Sequence, residues 1–319
     1  MKSGNLQIGS VQVNVGEKKS FTQTLDLSGT QVELPIFVIN GVNEGPRLVI
    51  TGGIHGAEYA SIEAALQIGR SLQPEALSGQ VIILPVVNMP AYRARSIYVC
   101  PLDGINLNRV FPGQADGGKT AQLAHWVFQN AIKDADYYID MHGGDLVEAL
   151  MPFTIYADSG DAELDAKAQK LAEVFGIKDI VKSGSAGSTI AGAAGAGVPA
   201  ILTESGGQGV WTKEDILLHT DGADRVMRWL KMIPGDEPAL LPTRILNQFL
   251  WLSSEHTGYY YADVVIGQSV KKGQYLGKVT NFEGSVLQEV IAPDAGEVLF
   301  LVSSLSINEG DPLLSIGAA

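Results

Sequence analysis

Between residues 46 and 240, short apolar runs that end in glycine alternate with stretches of helical apolar spacing. That alternation restricts the chain more than any other feature. Arg47-Leu48-Val49-Ile50-Thr51 is closed by Gly52-Gly53, the pattern of a buried strand. The next segment, Ala57 to Leu72, carries Ala60, Ala64, Ala65 and Ile68 at the spacing of a helix. Further strands are expected at Leu48–Thr51, Val81–Val87, Tyr137–Met141, Phe153–Ala157 and Ala200–Glu204, and helices over 57–73, 119–133, 162–175, 186–195 and 221–232. Strands and helices taken in turn predict an α/β domain on a mostly parallel or mixed sheet. Residues 5–45 precede it as short alternating β pieces.

The texture changes near residue 240. Pro234-Gly235-Asp236-Glu237-Pro238 and Pro242 form a breaker-rich boundary. The expected division is a larger domain over 1–242, including the N-terminal β segment 5–45, and a small all-β domain over 243–319. Within the latter, Val270-Lys271-Lys272-Gly273-Gln274-Tyr275-Leu276-Gly277 and Ala292-Pro293-Asp294-Ala295-Gly296-Glu297-Val298 resemble the hammerhead, barrel-like fold of biotinyl and lipoyl domains. Those domains present a modifiable lysine on a hairpin. Here Gly284-Ser285 stands instead, so the expected role is structural or that of a lid.

Composition narrows the class. With 22 Lys and Arg against 35 Asp and Glu, the net charge of −13 argues against nucleic-acid and anionic-membrane partners. Cys100 is the single cysteine, which rules out an internal disulfide and fits a reducing compartment. Met1-Lys2-Ser3-Gly4-Asn5 lacks the apolar core of a secretion signal. Residues 187–202 are apolar but interrupted by glycines and Pro199, so no membrane span is expected there. The expected location is the cytoplasm.

Four stretches carry chemistry. Gly52-Gly53-Ile54-His55-Gly56-Ala57-Glu58 sets His55 at a strand's carboxyl end and Glu58 in the first turn of the next helix. There the helix dipole favours an ionised carboxylate, and α/β folds hold ligands in such crevices. Tyr138-Ile139-Asp140-Met141-His142-Gly143-Gly144 brings His142 to the same sheet edge. Two histidines and one carboxylate, with a fourth position left for water, match a catalytic zinc set, and Asp140 could orient a ligand histidine from behind. A lone histidine at a strand end is more simply a hydrogen-bonded core residue; the paired motifs favour the metal. Thr203-Glu204-Ser205-Gly206-Gly207 ends a strand in a carboxylate able to move a proton from water to a leaving amine, or else to cap a turn. In Asp103-Gly104-Ile105-Asn106-Leu107-Asn108-Arg109-Val110-Phe111-Pro112-Gly113, Asn108 and Arg109 offer a fork of donors for a substrate carboxylate, the alternative being a surface loop of asparagine turns. Asp145 and Glu148 follow His142. They either face the pocket and select an amine-bearing substrate, such as an acylated diamino acid, or belong to a solvated loop.

The motifs HxxE at 55–58, NLNR-F-PG at 106–113, DxHGG at 140–144 and TE-x-GG at 203–207 occur in one order. Together they resemble the succinylglutamate desuccinylase/aspartoacylase family, zinc hydrolases related to the M14 carboxypeptidases. The resemblance covers residues 45 to 210 and extends to the C-terminal β module. It implies a zinc-carboxypeptidase-like α/β fold, a mixed sheet flanked by helices. It also implies one Zn²⁺ per chain on His55, Glu58 and His142, with Glu204 as general base and then acid. Asn108 and Arg109 would hold the substrate carboxylate. An upstream arginine would polarise the scissile carbonyl; Arg93 and Arg95 are the candidates, Arg95 being favoured, and Ile97 stands where some relatives have arginine. Some relatives close the site with a C-terminal tyrosine, but Tyr259, Tyr260 and Tyr261 are expected to pack as strand aromatics. The activity implied is hydrolysis of the amide of a small N-acyl amino acid or related acylated amine. A peptide-cleaving metallocarboxypeptidase and a non-catalytic small-molecule-binding relative are the alternatives. The expected partner is a small-molecule substrate, and homo-oligomers are the common case for such enzymes.

Overall fold

A nine-stranded mixed sheet frames the molecule in a computed structural model that describes residues 4–318. Met1–Ser3, on which the leader expectation partly rests, lie outside the described residues. A short hairpin of β1 (Leu6–Ile8) and β2 (Val11–Val13) precedes β3 (Glu17–Leu27), β4 (Thr30–Asn40), β5 (Asn43–Thr51), β6 (Ser78–Leu84) and β7 (Tyr137–His142). Then come β8 (Glu148–Leu150), β9 (Phe153–Ala157), β10 (Asp179–Ser183), β11 (Ala200–Glu204) and β12 (Arg244–Leu246). The large sheet runs β12-β10-β9-β11-β7-β5-β6-β4-β3. Its centre is parallel, β11 with β7, β7 with β5 and β5 with β6, while β9 runs antiparallel to β11.

The helices are α1 (Tyr59–Ser71), α2 (Met89–Ala94), α3 (Lys119–Val127), α4 (Ala162–Phe175), α5 (Thr189–Gly195) and α6 (Lys213–Trp229). They cover both faces of the sheet, which is why its central strands are continuously apolar. Successive side chains of β5 enter opposite layers. Val49 packs with Leu123 and Val127 of α3 and Ile190 of α5. Leu48 and Ile50 pack with Ala64 and Ile68 of α1, Leu171 of α4 and Val226 of α6. Among the described residues, no helix is long and apolar enough to cross a membrane.

Three local readings change. Helix α6 begins at Lys213 rather than 221, because Thr212 accepts from the Asp215 amide and the Asp215 side chain answers the Thr212 amide, a capping box. Glu58 is the N-cap residue of α1 rather than part of its first turn. The expected helix 119–133 stops being α at Val127 and continues through one wider turn, Phe128–Ile132.

The C-terminal region holds β13 (Gln248–Ser253), β14 (Gly258–Ala262), β15 (Ser269–Val270), β16 (Tyr275–Thr280), β17 (Val286–Ile291), β18 (Gly296–Val302), β19 (Ser306–Ile307) and β20 (Pro312–Ala318). They form two antiparallel sheets, β13-β20-β18-β15 and β17-β16-β14-β19. Leu276, Val279, Val298 and Leu314 are among the buried side chains of their shared core. The two halves of the chain exchange strands. From the first half, β8 pairs with β18, Ala149 opposite Leu301. From the second, β12 joins the large sheet beside β10, two residues beyond the expected boundary at 242. Arg244 of β12 clamps the exchange, giving a bidentate bond to Asp179 (2.6 and 2.9 Å) and a third to Glu297 (2.8 Å).

Candidate active site

Three adjacent strands, β5, β7 and β11, bring their carboxyl ends to one edge. Thr51 stands beside Asp140 and His142 beside Glu204 in the parallel ladders, so His142 and Glu204 sit about 4.8 Å apart along the backbone. His55 follows β5 through Gly53, whose φ of +60° turns the chain out of the sheet where a side chain would be strained. Glu58 makes no side-chain cap to α1, which leaves its carboxylate for the histidines.

The side chains converge. His55 Nδ1 lies 2.7 Å from Glu58 Oε1, and His142 Nδ1 lies 3.0 Å from Glu58 Oε2. The far nitrogens are already engaged: His55 Nε2 is 3.1 Å from Asn106 Oδ1, and His142 Nε2 is 2.8 Å from Asp140 Oδ2. Both acceptors are oxygens, so each Nε2 carries the proton and each Nδ1 turns a lone pair toward the Glu58 carboxylate. Asp140 is itself held, taking Thr51 Oγ1 at 2.6 Å on Oδ1 and the Thr189 hydroxyl on Oδ2. Two lone pairs and a carboxylate aimed at one another repel unless a cation lies between them.

The donor set fits a divalent metal. The ligand atoms of His55, Glu58 and His142 lie within 4.8 Å of one another. Glu58 Oε2 is buried and makes no hydrogen bond despite its short distance to His142. Burial alone would raise the Glu58 carboxyl, but positive charge on the neighbouring His142 and His55, when no metal is bound and they are protonated, holds it below the usual range. Two imidazoles and a carboxylate are ligands suited to zinc. Glu204 Oε2 is likewise buried without a partner. Burial pushes its carboxyl well above the ordinary value, only partly offset by His142.

These groups line a cavity of about 480 Å³. Asn108 and Arg109 line it as well. Asn108 Oδ1 is tied to the Thr189 amide at 2.9 Å, so its amide nitrogen is the donor left for a ligand. The Arg109 guanidinium donates to the Asn108 carbonyl at 2.8 Å. Arg95 does not join them. It ends α2 in the left-handed conformation, and the chain turns there so that Arg95 lines a separate groove with Tyr59, Tyr92 and Trp211. Arg93 lines the same groove and pairs with Glu33 at 2.5 Å. From this segment it is Tyr98 that enters the pocket, beside Glu148.

The C-terminal module supplies a wall. Phe249 and Trp251 of β13, Phe300 of β18 and Pro312 of β20 line the cavity; Phe249, Trp251 and Phe300 stack edge to face and Phe153 meets Phe249 at a tilt, at centroid distances of 4.9–5.4 Å. Tyr259, Tyr260 and Tyr261 do not line it; Tyr260 lies in the module's own core.

Two supporting residues escape a reading by motif. Asn106, which orients His55, stands inside the quoted asparagine stretch, yet nothing local separates its role from that of Asn108. His219 of α6 is fully buried beneath β11, 3.0 Å from Thr203 Oγ1. Burial lowers its pKa to about 4, so it is a neutral core histidine.

Fold and site together place the chain among the deacylases. It belongs to the succinylglutamate desuccinylase/aspartoacylase family, whose catalytic-domain model matches residues 44–230. It is 30% identical over 295 residues to the N-alpha-acetyl-L-2,4-diaminobutyric acid deacetylase of Halomonas elongata, covering 89% of this chain and 85% of the relative. Its structure is similar to that of a succinylglutamate desuccinylase/aspartoacylase from Rhodobacter sphaeroides, with TM-score 0.84, 27% identity and 94% of each chain covered. It also resembles the product-bound ectoine utilization protein EutE (DoeB) from Ruegeria pomeroyi, with TM-score 0.83, 25% identity, and 100% of this chain and 97% of that one covered.

Proposed function

We propose that the protein is a zinc-dependent hydrolase that cleaves the amide bond of a small N-acyl amino acid. The observation that carries this reading is the convergence of His55 Nδ1, His142 Nδ1 and the Glu58 carboxylate on one point, with Glu204 beside His142 in the sheet. A metal held there supplies Lewis acidity to water and to the scissile carbonyl. Glu204 accepts a proton as water adds to the carbonyl carbon, then delivers it to the amine nitrogen as the C–N bond breaks. The products are a carboxylate and a free amine. Asn108 and Arg109 hold the substrate's carboxylate, and Asn106 and Asp140 keep the two imidazoles aimed. The aromatic wall of the C-terminal module bounds the cavity, which favours small substrates over long peptides. The name of the Halomonas relative makes an N-acetylated diamino acid the first substrate to try.

The test is Glu204→Gln, with metal content and amine release measured on the same preparation. The variant is expected to keep its metal and lose about 10²- to 10⁴-fold in kcat. Undiminished turnover would overturn the assignment of Glu204.

A further inference from the structure

The two acids that follow His142 have different surroundings. Asp145 is fully buried and spent on backbone: its Oδ2 accepts from the Tyr98 amide at 2.9 Å and its Oδ1 from the Leu146 amide at 2.7 Å. Glu148 is also buried, 7% exposed, but its side chain lines the cavity that holds His55, Glu58 and His142. One oxygen, Oε2, accepts from the Asp145 amide at 2.7 Å. After burial, Asp145, Glu58 and Tyr98 are the groups that act most on the carboxylate.

Its position is rigid. The Glu148 carbonyl accepts from the Gln208 amide at 2.9 Å, and a Cβ on Gly207 would stand 2.2 Å from that carbonyl. The loop after β11 can therefore close on the loop after β7 only through glycine. On its other side Glu148 stands opposite Val302 of β18. A carboxylate so placed is costly while unpaired in a poorly solvated pocket. Burial pushes it up to about 7, and an ammonium group brought beside it would restore its charge.

Resting on the hydrolase reading above, we infer that Glu148, with the Tyr98 phenol beside it, binds a primary ammonium group of the substrate and selects acylated diamino acids over their neutral counterparts. Arg109 and Asn108 take the substrate's carboxylate and Glu148 takes its amine, so the scissile amide is held by both ends of the amino-acid part.

The experiment compares Nα-acetyl-2,4-diaminobutyrate with Nα-acetyl-2-aminobutyrate, which lacks only the amine, as substrates of the zinc-loaded protein and of Glu148→Gln. Glutamine keeps an oxygen for the Asp145 amide, so the loop is retained while the charge is lost; metal content and melting temperature check this. Wild type is expected to favour the diamino substrate in kcat/KM by about 30-fold or more. In Glu148→Gln that ratio should collapse to within about threefold, mainly through a raised KM for the diamino substrate. A wild-type ratio near one, or an unchanged ratio in a folded, metal-loaded Glu148→Gln, overturns the inference and leaves the hydrolase reading standing. Failure of wild type on both substrates and on a wider panel of N-acyl amino acids removes both.

Discussion

Replacing Asp140 by asparagine isolates what a buried charge contributes to holding His142. Asp140 is fully buried and receives three donors: Thr51 Oγ1 on one oxygen, His142 Nε2 and the Thr189 hydroxyl on the other. Asparagine can keep its oxygen toward His142 and Thr189 and present its amide to Thr51. The Thr51 hydroxyl can then accept and pass its own proton to the Tyr138 oxygen 2.6 Å away, so the three groups that donated to Asp140 all keep a partner. What is lost is the charge: hydrogen bonds to ionised groups contribute about 1.5–3 kcal/mol against about 0.5–1.5 for neutral ones. The difference of about 1.25 kcal/mol between the midpoints corresponds to a roughly eightfold weaker metal site, near the lower end of the ~10–100-fold expected for such supporting groups. Asp140→Ala instead strands His142 Nε2 and the Thr189 hydroxyl and should cost several kcal/mol of folding stability, at about 1–3 kcal/mol per unanswered group. Zinc affinity is read by competition with a chromophoric chelator, and folding by denaturant melts of the metal-free protein. If Asp140→Asn binds zinc within twofold of wild type, the charge on Asp140 does not support His142 and the reasoning fails.

Other consequences are as direct. Arg95→Ala should leave kcat/KM within about twofold, since the side chain lines another groove; a loss of tenfold or more in steady-state kinetics would return Arg95 to the site. Gly222→Ala sets a methyl 2.4 Å from the buried Phe175 ring. The gain in helix propensity of about 1 kcal/mol falls short of an overpacking cost of about 1–3 kcal/mol, so the melting temperature should drop, and Phe175→Leu in the same chain should restore it. His219, neutral in the fold with a pKa of about 4, takes up a proton on unfolding near its ordinary value of about 6.5. Its contribution is thus complete above about 6.5 and lost as pH falls toward 4, on the order of 3 kcal/mol. Urea melts of metal-free wild type and His219→Gln across that range should differ by this slope; parallel curves would contradict it.

Most of the candidate site was legible because its residues lie at a purely local event, an apolar strand meeting glycine. His55, His142 and Glu204 all stand at such junctions, and local pattern suffices to put them at strand ends. Which strands are neighbours is not local. The ladder that sets Glu204 beside His142 depends on β11 lying next to β7, and the intervening sequence builds β9 and β10 elsewhere in the same sheet. Arg95 fails for a related reason, since its direction is decided by one left-handed residue ending a six-residue helix. The three-residue β8 and β12 are too short to show a period, and their partners lie far along the chain. The choice between a pocket-facing and a solvated Glu148 stayed open for the same reason, because Glu148 begins β8, and the aromatic wall, built on strands that β8 joins, went unread.

The exchange of β8 and β12 has a consequence for synthesis. The loop carrying Glu148 has its strand partner in β18, and β18 is in turn flanked by β20, which ends at Ala318. A nascent chain that has already made His55, Glu58, His142 and Glu204 therefore still lacks one bank of its pocket until β18 and β20 have been made. Chains terminated before β18 would carry His55, Glu58, His142 and Glu204 but no finished cavity.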